Sequence, residues 1–195
     1  MKSNEVIDLL EWSGAILKGH FMLTSGRHSN QYIEKFRLLE NPIALDKICL
    51  TMSEKFKDQN IDLVIGAAIG GILLSGGVGK HLDCKHIFSE RVGGKMVFKR
   101  GFNIEKKSDV LIVEDIIDTG QSIDFIYNYV YDKGPDDIKI VSFLFKPDVY
   151  KLNIKIDWVG FSIDNNFVVG YGMDYNEKFR NLKDIYRLID EKEEE

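Results

Sequence analysis

The chain has 195 residues, a net charge of −5 and a pI near 5.5. That length suits one substantial domain and barely two. The acidic balance argues against nucleic acid as the main partner, because phosphate backbones call for a basic face, but it leaves room for a local basic site that takes a small phosphorylated ligand.

In chain order, Val6, Leu9 and Leu10 put an apolar stripe on a short first helix. The stretch "HFMLTSGRHSNQYIEK" reads as a hairpin turning at Ser-Gly. Pro42 opens an amphipathic helix with Leu45, Ile48, Cys49, Met52 and Phe56 on one face. "IDLVIG" is a buried strand, "AAIGG" a loop, "ILLSGGVGKHL" a glycine-containing helix and "CKHIFSE" the next strand. Residues 90–108 are polar and basic, punctuated by Gly93, Gly94 and Gly101, and read as a mobile loop or loose hairpin. "DVLIVED" is the central strand. "TGQSIDFIYNYVYDKG" is a helix with Ile123, Ile126, Tyr127 and Val130 on one face and Gly134 as its C-cap. "IKIVSFLF" and "IDWVGFSI" are further strands, and "NNFVVGYGMDYNEKFRNL" is a short strand followed by irregular chain. The alternation of strands and helices predicts an α/β, doubly wound, mainly parallel sheet. One domain over residues 1–195 is expected, with a small hood from about 1–40 and 146–195 around the core.

Cys49 and Cys84 stand far apart without metal-ligand spacing and read as buried apolar residues of a reduced protein. No signal-peptide pattern opens the sequence. The longest uncharged run, Leu63 to Gly79, has 17 residues, six of them glycine, against the roughly 20 apolar residues a membrane span needs. The expectation is a cytoplasmic protein with no membrane contact.

The chemistry concentrates in "VLIVEDIIDTGQSI", Val110 to Ile123. Glu114, Asp115 and Asp118 fall at a strand end, where ligands sit in open α/β sheets. Thr119, Gly120, Gln121 and Ser122 then open a helix, whose free N–H groups and hydroxyls suit a phosphate. Adjacent carboxylates beside a phosphate cradle fit vicinal hydroxyls, so a ribose 5-phosphate meets both demands. A plain helix start with dipole-favoured acids fits the same residues. "GAAIGG", Gly66 to Gly71, permits close backbone approach and by itself equally suits helix–sheet packing. Arg91, Lys95, Lys99 and Arg100 form either a cationic flap or a solvated surface hairpin.

"VLIVEDIIDTG" resembles the phosphoribosyl-pyrophosphate motif of type I phosphoribosyltransferases. The resemblance implies that fold. It implies that Glu114 and Asp115 engage the ribose hydroxyls, and that Asp118, Thr119, Gly120, Gln121 and Ser122 hold the 5-phosphate. Ala68, Gly70 and Gly71 then form the pyrophosphate loop, and Arg91, Lys95, Lys99 and Arg100 the closing flap. "GHFMLTSGRHSNQYIEKFRLLENP" and "ERVGGKMVFKRGFNIE" resemble orotate phosphoribosyltransferases, whose flap works across subunits, which implies a homodimer. "VEDIIDTG" and "LFKPDVYKLNIKIDWVGFSIDNNFVVGYGMDYNEKFRNL" resemble hypoxanthine-guanine phosphoribosyltransferases instead.

That second likeness implies base contacts from Lys146 to the exocyclic oxygen, from stacked Phe167, from the Val168 backbone and from Asp174. It implies Mg2+ as cofactor, with Asp174, Glu114 and Asp115 as candidate metal ligands, and Asp118 as general base, while the orotate-like flap implies Arg91 and Lys95 as catalytic cations. Read as residues alone, Lys146 also suits a solvated strand end, Phe167 a core position, and Asp174 with Arg180 a structural ion pair. The expected partners are phosphoribosyl pyrophosphate and a nucleobase. A 6-oxopurine comes first and orotate second, with a non-catalytic phosphoribosyl-pyrophosphate sensor as the other class.

Overall fold

The computed structural model describes residues 3–22, 28–163, 168–169 and 186–187. Helix α1 (Ser3–Trp12) leads into an antiparallel hairpin of β1 (Ile16–Met22) and β2 (His28–Ile33). The hairpin begins four residues before the stretch that suggested it. A short helix α2 (Lys35–Leu39) follows, then α3 (Pro42–Ser53). Asn41 starts α3 by accepting the N–H groups of Ile43 at 3.0 Å and Ala44 at 3.1 Å, with Pro42 in the first turn. The helix stops at Ser53, so Phe56 packs into the core from the turn beyond it.

Next come β3 (Leu63–Gly66), α4 (Gly70–Leu82) and β4 (Lys85–Phe88). The helix takes in Gly70 and Gly71, which the sequence reading left in the loop. Residues 90–97 fold into a hairpin of β5 (Glu90–Val92) and β6 (Lys95–Val97). Its root is apolar. Met96 is buried, and the Phe98 ring stacks on Tyr129 at 4.4 Å between centroids. These apolar residues, interleaved with lysines, root a paired hairpin in a segment of polar composition.

β7 (Asp109–Ile117) runs two residues longer than expected, and α5 (Gln121–Tyr131) follows. Asp132 is the C-cap of α5. Gly134, with φ +74°, lies just past it, and its carbonyl accepts the Lys107 N–H at 2.7 Å. β8 (Asp137–Phe145) and β9 (Trp158–Ser162) complete the central sheet. β10 (Val168–Val169) pairs antiparallel with β11 (Tyr186–Arg187), a strand the sequence reading missed. Two residues carry too little periodicity to be seen.

The central sheet has the order β4-β3-β7-β8-β9, all parallel. From β3 the chain steps outward through α4 to β4. From β7 it steps the other way through α5 to β8 and β9. Right-handed crossovers in opposite directions put α4 and α5 on opposite faces.

The cores follow. Val64, Leu111, Val113 and Val141 pack with Leu10, Ile48, Met52 and Leu74 on one face. Leu63, Ile65, Val110, Ile112 and Ile140 pack with Ile123, Ile126 and Val130 on the other. Successive residues of β7 thus alternate between the two cores, as a strand's period of two requires. Each fully buried aliphatic side chain contributes about 1.5–3 kcal/mol.

On the first face α3 and α4 touch through a glycine. Cys49 is buried, and burial pushes its thiol up to about 12, so it behaves as a small apolar residue. Cys84 is only half-buried, against expectation. A Cβ at Gly77 would collide with Cys49 Sγ and lie 2.8 Å from Cys49 Cβ. Gly77→Ala should therefore cost about 1–3 kcal/mol by overpacking, read as a lower midpoint in urea melts. Adding Cys49→Ala should recover part of that loss, since it removes the sulfur but keeps the Cβ that the new methyl still meets at 2.8 Å.

Candidate active site

Because the chain leaves β3 and β7 in opposite directions, a crevice opens between their carboxyl ends. Residues 67–69 and the start of α4 form one wall, and residues 118–122 the other. Glycines set how close the walls come. A Cβ at Gly66 would overlap the Gly71 carbonyl. One at Gly70 would overlap the Asp115 carboxylate, and one at Gly71 would lie 2.8 Å from the Val113 carbonyl oxygen. Ala68 lies in the turn between strand and helix, and the Ala68–Ile69 peptide is cis.

Glu114 and Asp115 are each only 5% exposed. As neighbours on one strand they point to opposite faces. Asp115 faces α2 and α4, where its Oδ2 lies 2.7 Å from Lys35 Nζ and its Oδ1 accepts the Ile116 N–H at 2.8 Å. The Lys35 contact is ionic but off the hydrogen-bonding directions, so Oδ2 has a countercharge without a directed donor. Glu114 lines the cavity at the α5 start, and its Oε2 also stands by Gly71 at the start of α4. Burial, and then the negative Asp115 beside it, push its carboxyl up to about 8, with Lys35 and Arg91 pulling the other way.

The α5 side holds a cavity of about 180 Å³, lined by Glu114, Asp118, Thr119, Gln121, Ser122 and Arg91 among others. Gly120 turns the chain into α5 with φ +90°, a conformation suited to glycine, and Tyr150 and Leu152 press where a Cβ would stand. The helix begins at Gln121, two residues later than its sequence suggested. Neither α4 nor α5 has a side-chain cap, whereas α2 and α3 are capped by Glu34 and Asn41. Two helix starts with open N–H groups thus border the crevice, the arrangement that suits anionic oxygens.

Of the four flap cations, Arg91 reaches the cavity and donates to Ser122 Oγ at 3.4 Å and to the Gly94 carbonyl at 3.2 Å. Arg100 is paired with Glu90 through two contacts at 2.8 and 3.2 Å. Lys95, in β6, and Lys99, two residues beyond it, are both exposed. Lys146 donates to Asp118 Oδ2 at 3.1 Å. Val168 lies in β10, opposite Arg187, while Phe167 and Asp174 fall outside the described residues. The sequence reading missed Lys35, Tyr150 and Leu152. Nothing local marks them, because each meets its partner only through the fold.

Fold and crevice define a doubly wound α/β protein with its functional loops at the switch point. The phosphoribosyl transferase domain profile matches residues 37–176, and the chain belongs to this family. It has the type I phosphoribosyltransferase fold and is a phosphoribosyltransferase, a pentosyl-transferring enzyme. In sequence it is similar to the orotate phosphoribosyltransferase of Chlorobium phaeobacteroides strain BS1, 44% identical over 134 residues and covering 69% of each chain. It is also similar to that of Caldicellulosiruptor saccharolyticus, 42% identical over 130 residues, covering 67% of this chain and 68% of the relative. Among solved structures it is similar to a hypoxanthine phosphoribosyltransferase from Staphylococcus aureus, 30% identical over 74% of this chain and 88% of that one, with a TM-score of 0.53. A hypoxanthine-guanine phosphoribosyltransferase from Bacillus anthracis gives 26% identity over 72% and 90% of the two chains, with a TM-score of 0.54. Both likenesses of the two sequence halves thus recur. Among the described residues no helix is long and apolar enough to cross a membrane.

The raised Glu114 carboxyl has a measurable consequence in the ligand-free protein. An unfolded glutamate titrates near 4.5 and the folded one near 8, so the folded state holds the extra proton between those values. Its contribution to stability is complete below the lower value and is lost as pH rises through the upper one. Glu114→Gln should flatten that part of the melting-temperature profile between about pH 4.5 and 8. A slope equal to the wild type's would show that Glu114 is not held neutral.

Proposed function

We propose that the chain transfers ribose 5-phosphate from phosphoribosyl pyrophosphate to a 6-oxopurine, hypoxanthine or guanine, releasing pyrophosphate. The observation that carries the choice of base is the Lys146–Asp118 pair, 3.1 Å apart at the cavity. It sets a donor beside an acceptor. A 6-oxopurine edge offers a carbonyl oxygen to the ammonium and a ring N–H to the carboxylate. The carboxylate of orotate would meet the Asp118 carboxylate, an unfavourable contact of like charges.

In this reading Glu114 and Asp115 hold the ribose hydroxyls. Thr119 to Ser122 and the open end of α5 take the 5-phosphate, while Ala68, Gly70 and Gly71 with Arg91 face the pyrophosphate. Lys95 and Lys99 come over the leaving group when the flap closes, whereas Arg100 braces the hairpin through Glu90. The purine nitrogen forms a bond to the anomeric carbon as the carbon–oxygen bond to pyrophosphate breaks, its electron pair leaving with pyrophosphate. Positive charge grows on the sugar ring, where Asp115 stabilises it. Asp118 takes the proton the purine sheds. Phe167, the Val168 backbone and Asp174 complete the base side.

Glu114 and Asp115 fit a magnesium ion. They are two carboxylates that both reach the start of α4, with Lys35 against Asp115 Oδ2, and magnesium typically takes one or two carboxylates plus phosphate oxygens. Asp174 would join them. Magnesium, when bound, neutralises charge on the leaving pyrophosphate. The orotate-like flap supports a homodimer, and the unpaired cysteines support a cytoplasmic setting.

The second reading is orotate phosphoribosyltransferase, favoured by the 44% identity to the Chlorobium enzyme of that name. Pyrophosphate release with hypoxanthine, guanine, xanthine, adenine and orotate separates the two. Turnover is expected on hypoxanthine or guanine. Orotate turnover with silence on every purine refutes the choice of base, and binding of phosphoribosyl pyrophosphate without turnover on any base points to a sensor. Asp118→Asn should lower kcat by roughly 10²–10⁴ for a lost acid–base role, and unchanged turnover sinks that assignment.

A further inference from the structure

The Lys35–Asp115 contact joins parts of the fold that no local sequence pattern connects. Lys35 is the first residue of α2 and follows directly on β2 and the capping Glu34. Its ammonium lies 2.7 Å from Asp115 Oδ2, with the Asp115 side chain 7% exposed and that of Lys35 31% exposed. The same carboxylate lies against Gly70, where no Cβ would fit. Asp115 is therefore held between two walls: glycine backbone at the start of α4, and a lysine brought in by the N-terminal hairpin. β2, which leads to Lys35, also lies beside β10, the strand that carries Val168.

We propose that Lys35 is a positioning residue for the sugar site. It supplies the countercharge that holds the Asp115 carboxylate in place for the ribose hydroxyls, and it ties the β1–β2 hairpin to the sugar site. The inference rests on the reading that phosphoribosyl pyrophosphate binds at Glu114 and Asp115. Two adjacent carboxylates out of water are costly without a nearby cation. The α4 N-terminus offers partial positive charge, and Lys35 offers a full one. Removing it leaves Asp115 free to turn toward solvent and adds negative potential where a polyanionic substrate must enter. Lys35 is not asked to touch the reacting atoms, so its loss should weaken binding of the sugar more than it slows the bound complex.

The test uses the full chain with magnesium and phosphoribosyl pyrophosphate, read by calorimetry and by steady-state kinetics. Lys35→Met should weaken binding and raise KM for phosphoribosyl pyrophosphate by about tenfold or more, with kcat within about twofold. Lys35→Gln should behave like Lys35→Met, and Lys35→Arg should restore most of the affinity. Urea melts of Lys35→Met, Asp115→Asn and the double variant should show a double loss smaller than the two single losses added. Unchanged binding in both charge-removing variants, a loss confined to kcat, Lys35→Arg no better than Lys35→Met, or strictly additive stabilities would each overturn the inference. If the wild-type chain itself fails to bind phosphoribosyl pyrophosphate, the reading of the site falls with it. If the wild type binds and Lys35→Met binds equally well, only the role of Lys35 falls.

Discussion

Between the start of α4 and the end of β7 there is no room for a side chain, and the geometry of the crevice depends on that absence. Gly66, Gly70 and Gly71 let the helix start rest directly on the carbonyl of Val113 and the carboxylate of Asp115. A larger residue at any of the three would push α4 off the sheet and move the turn at residues 67–69 with it. The close approach also matters electrostatically. The positive end of a helix lies against an acid that burial would otherwise penalise. One steric constraint thus fixes the loop, aims the helix and moderates the cost of the carboxylate.

The two acids solve the burial problem differently because the strand sends them to opposite faces. Asp115 is matched by Lys35 and the α4 terminus. Glu114, facing the cavity, has weaker compensation and is held largely neutral. The ligand-free site therefore carries less negative charge than its sequence suggests.

The sheet, its helices and the position of the acidic loop were legible because they follow from hydrophobic periodicity and from where a parallel strand ends. The alternating run from Val110 to Val113 feeds both cores, and the acids come where it stops. Contacts set by tertiary folding were not legible. Lys35 ends the stretch that reads as a hairpin, with no local sign of the short helix it opens, and its partner stands far along the chain. The flap cations looked equivalent as a string, yet Glu90 takes up Arg100, and Arg91 alone of the four lines the cavity. Helix starts slipped by two residues at both Gly70 and Gln121, in opposite senses. A glycine can end a loop, begin a helix or cap one, and only its φ tells which.

The strand order carries a consequence for how such a protein changes over time. The loops at the switch point come from β3 and β7 in the middle of the sheet, whereas Lys146 and the chain after it leave from β8, near one edge. An edge segment is free to be exchanged, lengthened or rewritten while the two central strands and their glycine contacts stay as they are. The fold is in that sense modular, with the glycine contacts of the two central strands set apart from the segment that leaves near the edge. A chain whose front half resembles one branch of its family and whose back half resembles another is the kind of product that architecture permits.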